Sequence, residues 1–194
     1  MKLLHIDSSA LGAYSVSREL SAAIVAAWKH RQPELEVVYR DLAAEPLPHW
    51  APVADAADPA ALAAQTAIDE LLAADIVVIG APMYNFSVPS SLKAWIDRIV
   101  VAGKTFRYSA TGPEGLAGGR KVIIASTRGG FYGAESGRAD FDFQEDYLRH
   151  VFGFIGITDV EFVRAEGIGL GPEQKAKAVN DAHAEIGARL PVAA

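Results

Sequence analysis

The chain contains no cysteine, so disulfides, thiolate nucleophiles and cysteine-based metal sites are excluded. Long hydrophobic runs are missing too. The opening Met1-Lys2-Leu3-Leu4-His5-Ile6 is broken by Asp7, too soon for the core of a signal peptide, and no later run approaches the ~20 residues of a membrane helix. A soluble, cytoplasmic protein without a membrane partner is expected. Clustered positive charge is equally lacking: at a formal net charge of −6, no Lys/Arg stripe is long enough to follow a phosphate backbone, which argues against nucleic acid as a partner. The histidines, His5, His30, His49, His150 and His183, lack metal-ligand spacing, so no metal site is expected. Neither G-x-S-x-G nor G-x-x-x-x-G-K-[ST] nor G-x-G-x-x-G occurs, which removes the nucleophile elbow, the triphosphate cradle and a dedicated dinucleotide pocket.

What remains is a chain of 194 residues, 51% of them hydrophobic, enough for one continuous core; a single domain over residues 1–194 is expected. Leu3, Leu4 and Ile6 predict a first strand, closed by Asp7-Ser8-Ser9. Asp7 is expected to bond local backbone N–H groups, with a general base as the alternative. Ser17 is the expected N-cap of a helix that carries Leu20, Ile24, Ala27 and Trp28 and stops at Pro33. Val37, Val38 and Tyr39 predict a second strand. A proline-rich connection over residues 42–59 carries Trp50, either pinned to the domain or available to a second subunit. A helix over residues 60–74 is expected to turn Leu62, Ile68, Leu71 and Leu72 to one side. Residues 75–80 form a third strand, apolar on both faces and therefore central and parallel.

Pro82 to Asp97 follow it, a stiff, aromatic loop leading into an amphipathic helix with Leu92, Trp95, Ile96 and Ile99. Residues 102–119 are expected to be irregular, punctuated by glycine. A fourth strand over 121–126 ends in Thr127-Arg128-Gly129-Gly130. Then come a polar, acidic insertion over 132–140, a solvated charged face from Arg138 to Asp146, a helix over 143–154, a fifth strand over 160–163 and a last helix over 172–190. Strands alternating with helices predict an α/β fold: a three-layer, doubly wound, five-stranded parallel sheet in the flavodoxin-like order 2-1-3-4-5. In such sheets ligands bind beyond the carboxyl ends of the strands where the order reverses, so the loops after strands 1, 3 and 4 form one site.

Ser9, Ser15 and Ser17 at a helix start could hold a phosphate monoester; alternatively Ser17 only caps the helix and the others face solvent. The amides of Met83, Tyr84, Asn85 and Phe86 lie beside a glycine turn that lets backbone approach a planar ring, although glycine pairs also end strands for conformational reasons alone. No side chain stands out as an acid or base, so the reactive chemistry of an enzyme here would belong to a bound cofactor.

Ser8-Ser9 with Tyr14-Ser15-Val16-Ser17, Pro82-Met83-Tyr84-Asn85-Phe86, Gly103-Lys104-Thr105-Phe106-Arg107-Tyr108, Thr127-Arg128-Gly129-Gly130 and Gly153-Phe154-Ile155-Gly156-Ile157 closely resemble the FMN-dependent NADH:azoreductases, also described as NADH:quinone oxidoreductases. The resemblance covers essentially the whole chain. It implies a homodimer with one FMN per subunit, NADH or NADPH as co-substrate, and a ping-pong transfer of hydride through FMN to quinones or azo compounds. By position, Ser9, Ser15, Val16 and Ser17 would hold the FMN phosphate. Met83, Tyr84, Asn85 and Phe86 would frame the isoalloxazine, Thr127, Arg128, Gly129 and Gly130 would meet its pyrimidine side, and Tyr108 and Phe154 would line the substrate cavity. The family commonly has serine at the position of Thr127, and Phe131-Tyr132-Gly133-Ala134-Glu135 departs from its pattern, so acceptor preference is not carried over. Two other functions fit the same fold: a flavodoxin-like electron carrier, and a carrier-protein phosphodiesterase using Ser8 or Ser9.

Overall fold

The computed structural model describes residues 1–52 and 55–190; residues 53–54 of the proline-rich connection and 191–194 of the expected single domain lie outside this description. The elements run β1 (Lys2–Asp7), α1 (Val16–Arg31), β2 (Glu36–Asp41), α2 (Pro59–Ala73), β3 (Ile76–Pro82), α3 (Ser90–Ile99), β4 (Phe106–Ser109), β5 (Gly112–Gly115), β6 (Lys121–Thr127), α4 (Glu145–Phe154), β7 (Asp159–Ala165) and α5 (Pro172–Arg189). Five strands form one parallel sheet in the order β2-β1-β3-β6-β7. Omitting the β4-β5 hairpin, this is the expected order 2-1-3-4-5.

Strand alternation sorts the core into two layers. Leu4, Ile6, Val77, Ile79, Val122 and Ile124 pack with side chains of α2, α3 and α4. Leu3, Ile76, Val78, Ile123 and Val163 pack with Leu20 and Ile24 of α1 and Ala182 and Ile186 of α5. Every residue of β3 is buried, as its uninterrupted apolar sequence requires of a central parallel strand.

Several local expectations are corrected. Ser15, not Ser17, caps α1: it has extended backbone angles and its side chain accepts the Arg18 N–H. Residues 102–119 are not wholly irregular, because β4 and β5 pair antiparallel, from Phe106 opposite Gly115 to Ser109 opposite Gly112. A Cβ on Gly115 would lie 2.1 Å from the Gly156 nitrogen, so the hairpin rests directly on the end of α4, and the Ala117 N–H completes the contact to the Ile155 carbonyl at 2.8 Å. Leu62 is 55% exposed and does not share the buried face of Ile68 and Leu71. Trp50 is 60% exposed, so it is not pinned against its own domain.

Candidate functional site

Parallel register sets the site. Asp7 pairs with Gly80 and Pro82 with Thr127, so the segments after β1, β3 and β6 emerge side by side at the carboxyl edge. The chain order reverses there, between β1 and β3. With neighbouring strands about 4.8 Å apart, the loops after β1 and β6 stand about 10 Å apart, a span suited to an elongated ligand.

At the β1 end, Ser9, Ser15 and Ser17 are all buried. The Ser15 and Ser17 hydroxyls lie 3.0 Å apart. The backbone N–H groups of Val16 and Ser17 open α1 and have no partner among the described residues. The Val16 side chain packs into the core, so only its amide is available to a ligand. Hydroxyls and open amides at a helix start make an anion site. Arg18, which the sequence does not single out, lies behind the loop: its Nε and Nη2 donate to the Ser9 carbonyl at 3.3 and 2.9 Å, and Nη1 and Nη2 donate to Asp41 at 2.7 and 2.6 Å. The hydrogen bond from Arg18 holds the Asp41 carboxyl below its ordinary range.

The loop after β3 departs from four consecutive open amides. Met83 N–H donates to the Thr127 carbonyl at 2.8 Å, and Tyr84 and Ser87 exchange backbone hydrogen bonds at 2.9 and 3.1 Å. Between them Asn85 and Phe86 have φ of 49° and 69°, the pattern of a primed two-residue turn. Their N–H groups are the ones left without a partner among the described residues. Asparagine tolerates this left-handed region, whereas phenylalanine in it is strained. The Phe86 ring, 46% exposed, meets Tyr132 edge-on at 6.2 Å and Phe141 at 5.8 Å. On the other side, the Tyr84 hydroxyl reaches the Ser9 hydroxyl and accepts the Ala10 N–H, each at 3.2 Å.

After β6, the carbonyls of Arg128, Gly129 and Gly130 accept from Ile168, Gly169 and Gly167 at 3.1, 3.0 and 3.0 Å, and Arg128 N–H donates to Ala165 at 3.0 Å. The N–H groups of Gly129 and Gly130 have no partner among the described residues, so this turn offers donors to a ligand and keeps its acceptors behind. Thr127 is buried at the strand end. The Arg128 side chain, by contrast, is 1% exposed and points away from the ligand side. It pairs with Asp142 at 2.9 Å, Glu166 at 3.2 Å and Glu145, because three acids brought in by distant segments hold the guanidinium more strongly than an open edge could. Asp142 and Glu145 are therefore not part of a solvated face. The insertion is anchored as well: Tyr132 N–H donates to Glu166 at 2.8 Å, and buried Gln144 bridges Ser126 and the Ala81 carbonyl at 3.2 and 2.8 Å.

Tyr108 and Phe154 are brought together where the hairpin meets the end of α4: their rings lie 5.5 and 4.6 Å from that of Phe106, with Tyr108 76% exposed. Asp7 accepts from the hydroxyls of Ser21 and Tyr39 at 2.7 and 3.0 Å, and not from the local backbone N–H groups expected of it. Burial and the Asp7 charge push the Tyr39 phenol up to about 12. Ser8 donates to the Gly80 carbonyl at 2.7 Å, and His5 meets Ser21 at 3.0 Å, so no histidine activates Ser8 or Ser9 among the described residues. Elsewhere, a groove of about 360 Å³ includes Arg40, Glu45, Leu47, Glu70 and Trp95 in its lining; its one cation, Arg40, is already paired with Glu70. No group of His, Asp and Glu placed to hold a metal ion is found among the described residues.

Residues 1–190 match the family model described as flavodoxin-like fold. The FMN-dependent NADH:quinone oxidoreductase 1 of Xanthomonas euvesicatoria pv. vesicatoria (strain 85-10) is 58% identical over 189 residues, covering 96% of this chain and 95% of that one. The FMN-dependent NADH:quinone oxidoreductase of Rhizobium meliloti (strain 1021) is 57% identical, covering 96% and 95%. The crystal structure of azoreductase from Bacillus anthracis str. Sterne superimposes with a TM-score of 0.89 at 29% identity, covering 98% of each chain.

Proposed function

The chain belongs to the family of flavodoxin-like fold, and from that membership we propose an enzyme that uses FMN to pass reducing equivalents from NAD(P)H to quinones and aromatic azo compounds. The activity is that of an FMN-dependent oxidoreductase, in line with relatives of 58% and 57% identity so named. The electron carrier and the phosphodiesterase are not favoured.

One observation carries this reading: an anion site and two pairs of open backbone donors stand along one sheet edge. The donor set fits FMN. Ser9, Ser15 and Ser17, with the Val16 and Ser17 amides, would hold the phosphate. The amides of Asn85, Phe86, Gly129 and Gly130 would meet acceptor atoms of the ring edge, framed by Met83, Tyr84 and Thr127. Arg128 supports that edge from behind without touching it. When bound, FMN supplies the two-electron redox chemistry that no side chain here can provide. Backbone donors aimed at a ring edge favour the build-up of negative charge there. They require no protein acid or base, and no catalytic side chain is assigned.

The homodimer belongs to the proposal: the exposed Tyr108, beside Phe106 and close to Phe154, would line a cavity completed by a second subunit. Cytoplasmic residence is likewise proposed; no helix among the described residues is long and apolar enough to cross a membrane. Incubation with FMN followed by gel filtration tests the function directly. Retained yellow flavin and turnover of NADH with menadione are expected, and a colourless, inactive protein would overturn the assignment.

A further inference from the structure

We propose that Arg18 is a positioning residue for the phosphate loop, through which the protein discriminates FMN from flavin lacking the phosphate; the proposal rests on the FMN assignment. A guanidinium has five N–H donors, and here each has a protein partner. Nε and one Nη2 hydrogen serve the Ser9 carbonyl, the other Nη2 and one Nη1 hydrogen serve Asp41, and the remaining Nη1 hydrogen serves the Tyr39 hydroxyl at 3.2 Å. None is left for a phosphate, so Arg18 acts on the ligand only through what it holds.

It holds both ends of the loop. The guanidinium fixes the carbonyl of Ser9 at the start, while the backbone N–H of the same residue donates to Ser15 Oγ at 3.3 Å at the end. Ser9 Oγ and the open amides of Val16 and Ser17 are thereby set against each other by one residue, the side chain fixing the Ser9 end and the backbone the Ser15 end. The anchor behind it is firm: Asp41 Oδ1 also accepts from the N–H groups of Ala43 and Ala44 at 3.0 and 3.2 Å, and the Tyr39 hydroxyl donates a hydrogen bond to Asp7 at 3.0 Å. The rigid planar fork explains why arginine stands here; a lysine ammonium can serve the carbonyl or the carboxylate but cannot reproduce the paired geometry.

Charge does not account for the arrangement, because Arg18 lies between Asp41 at 2.6 Å and Asp7 at 3.8 Å. This separates two roles experimentally. If Arg18 worked as a diffuse positive charge, Asp41→Asn would remove a negative neighbour and tighten FMN. If it positions the loop, the same substitution loosens its anchor and weakens FMN. Apoprotein is titrated with FMN and with riboflavin, following quenching of flavin fluorescence, for wild type, Arg18→Gln, Arg18→Lys and Asp41→Asn. For Arg18→Gln a loss of about tenfold in FMN affinity is expected, with riboflavin within about twofold of wild type, partial recovery in Arg18→Lys, and a smaller loss of FMN affinity in Asp41→Asn. Tighter FMN binding by Asp41→Asn, or equal losses for both flavins, would overturn the proposal. Should Arg18→Gln not fold, as judged by circular dichroism, Asp41→Asn and Tyr39→Phe carry the same comparison. A wild type that binds neither flavin would instead defeat the FMN assignment.

Discussion

The Tyr84 hydroxyl lies 3.2 Å from the Ser9 hydroxyl and 3.2 Å from the Ala10 nitrogen, so a single phenol joins the loop after β1 to the loop after β3. Tyr84→Phe keeps the ring and removes the join. At about 1 kcal/mol for a partly solvated hydrogen bond, a loss of about fivefold in FMN affinity is expected. Fluorescence titration measures it, and an apoprotein melting temperature within about 2 °C of wild type shows that the fold is intact.

Phe86 is held at φ 69° while nearly half exposed. A left-handed backbone costs a bulky residue about 1–2 kcal/mol, and its ring contacts with Tyr132 and Phe141 return about as much. Phe86→Asn, which relieves the backbone and deletes the ring, is therefore expected to leave the melting temperature unchanged or slightly raised. The same variant should raise the KM for menadione several-fold, since the ring borders the site. A drop in stability typical of a lost packed aromatic would show that the backbone carries no strain.

Removing the Arg128 guanidinium takes the cation from Asp142 and Glu166, while Glu145 keeps Arg164 at 2.8 and 2.7 Å. Stripping one side from a buried ionic cluster costs about 3–5 kcal/mol, which lowers the melting temperature of Arg128→Met by on the order of 10 °C. Flavin bound per folded molecule is expected to stay near the wild-type value, because the side chain faces away from the ligand. Thermal melts combined with flavin stoichiometry at low temperature check both halves.

Asp41 supplies a pH dependence with a definite sign. Its carboxyl is held below the ordinary 3.8, first by the hydrogen bond from Arg18, so its stabilising contribution is complete above that value and fades as pH falls through the lower folded value. Arg18, Asp7 and Tyr39 face it, with the Ala43 and Ala44 amides. Asp41→Asn should lag wild type in urea stability at neutral pH, and the gap should narrow as pH falls below 3.8. A gap independent of pH would mean that the ionised carboxylate is not what stabilises the fold here.

The sheet was legible because its signals are redundant. The run Ile76-Val77-Val78-Ile79 is buried on both faces wherever it is placed, and the strand order follows once each strand is separated from the next by a helix. The location of the site was legible for the same reason, as three unusual loops must share an edge. What escaped was whatever depends on partners far along the chain. Arg128 beside a glycine turn looks like a ligand contact until Asp142, Glu145 and Glu166 arrive. Arg18 is an ordinary helix residue until β2 brings Asp41 beside β1. The hairpin strands are four residues each, and β5 carries glycine and proline at the positions that argue for a loop; the close approach of Gly115 to Gly156 stabilises them from outside. Ser15 and Ser17 are equally good caps locally, and the 3₁₀ turn over Gly12–Tyr14 selects the first by delivering it in an extended conformation. The left-handed Phe86 has no local signature at all.

The bonds that shape the site span long stretches of chain: Ser9 to Tyr84, Met83 to Thr127, Gly129 to Gly169. Parallel strands cannot pair before the crossovers between them have closed, so contacts of this kind form late in folding. No fragment of the chain holds two of the three loops in register without the intervening helices. Flavin capture is therefore a report on the finished molecule: during refolding, quenching of FMN fluorescence should trail the recovery of helical signal, and in denaturant the flavin should leave in step with global unfolding, its midpoint rising with added FMN.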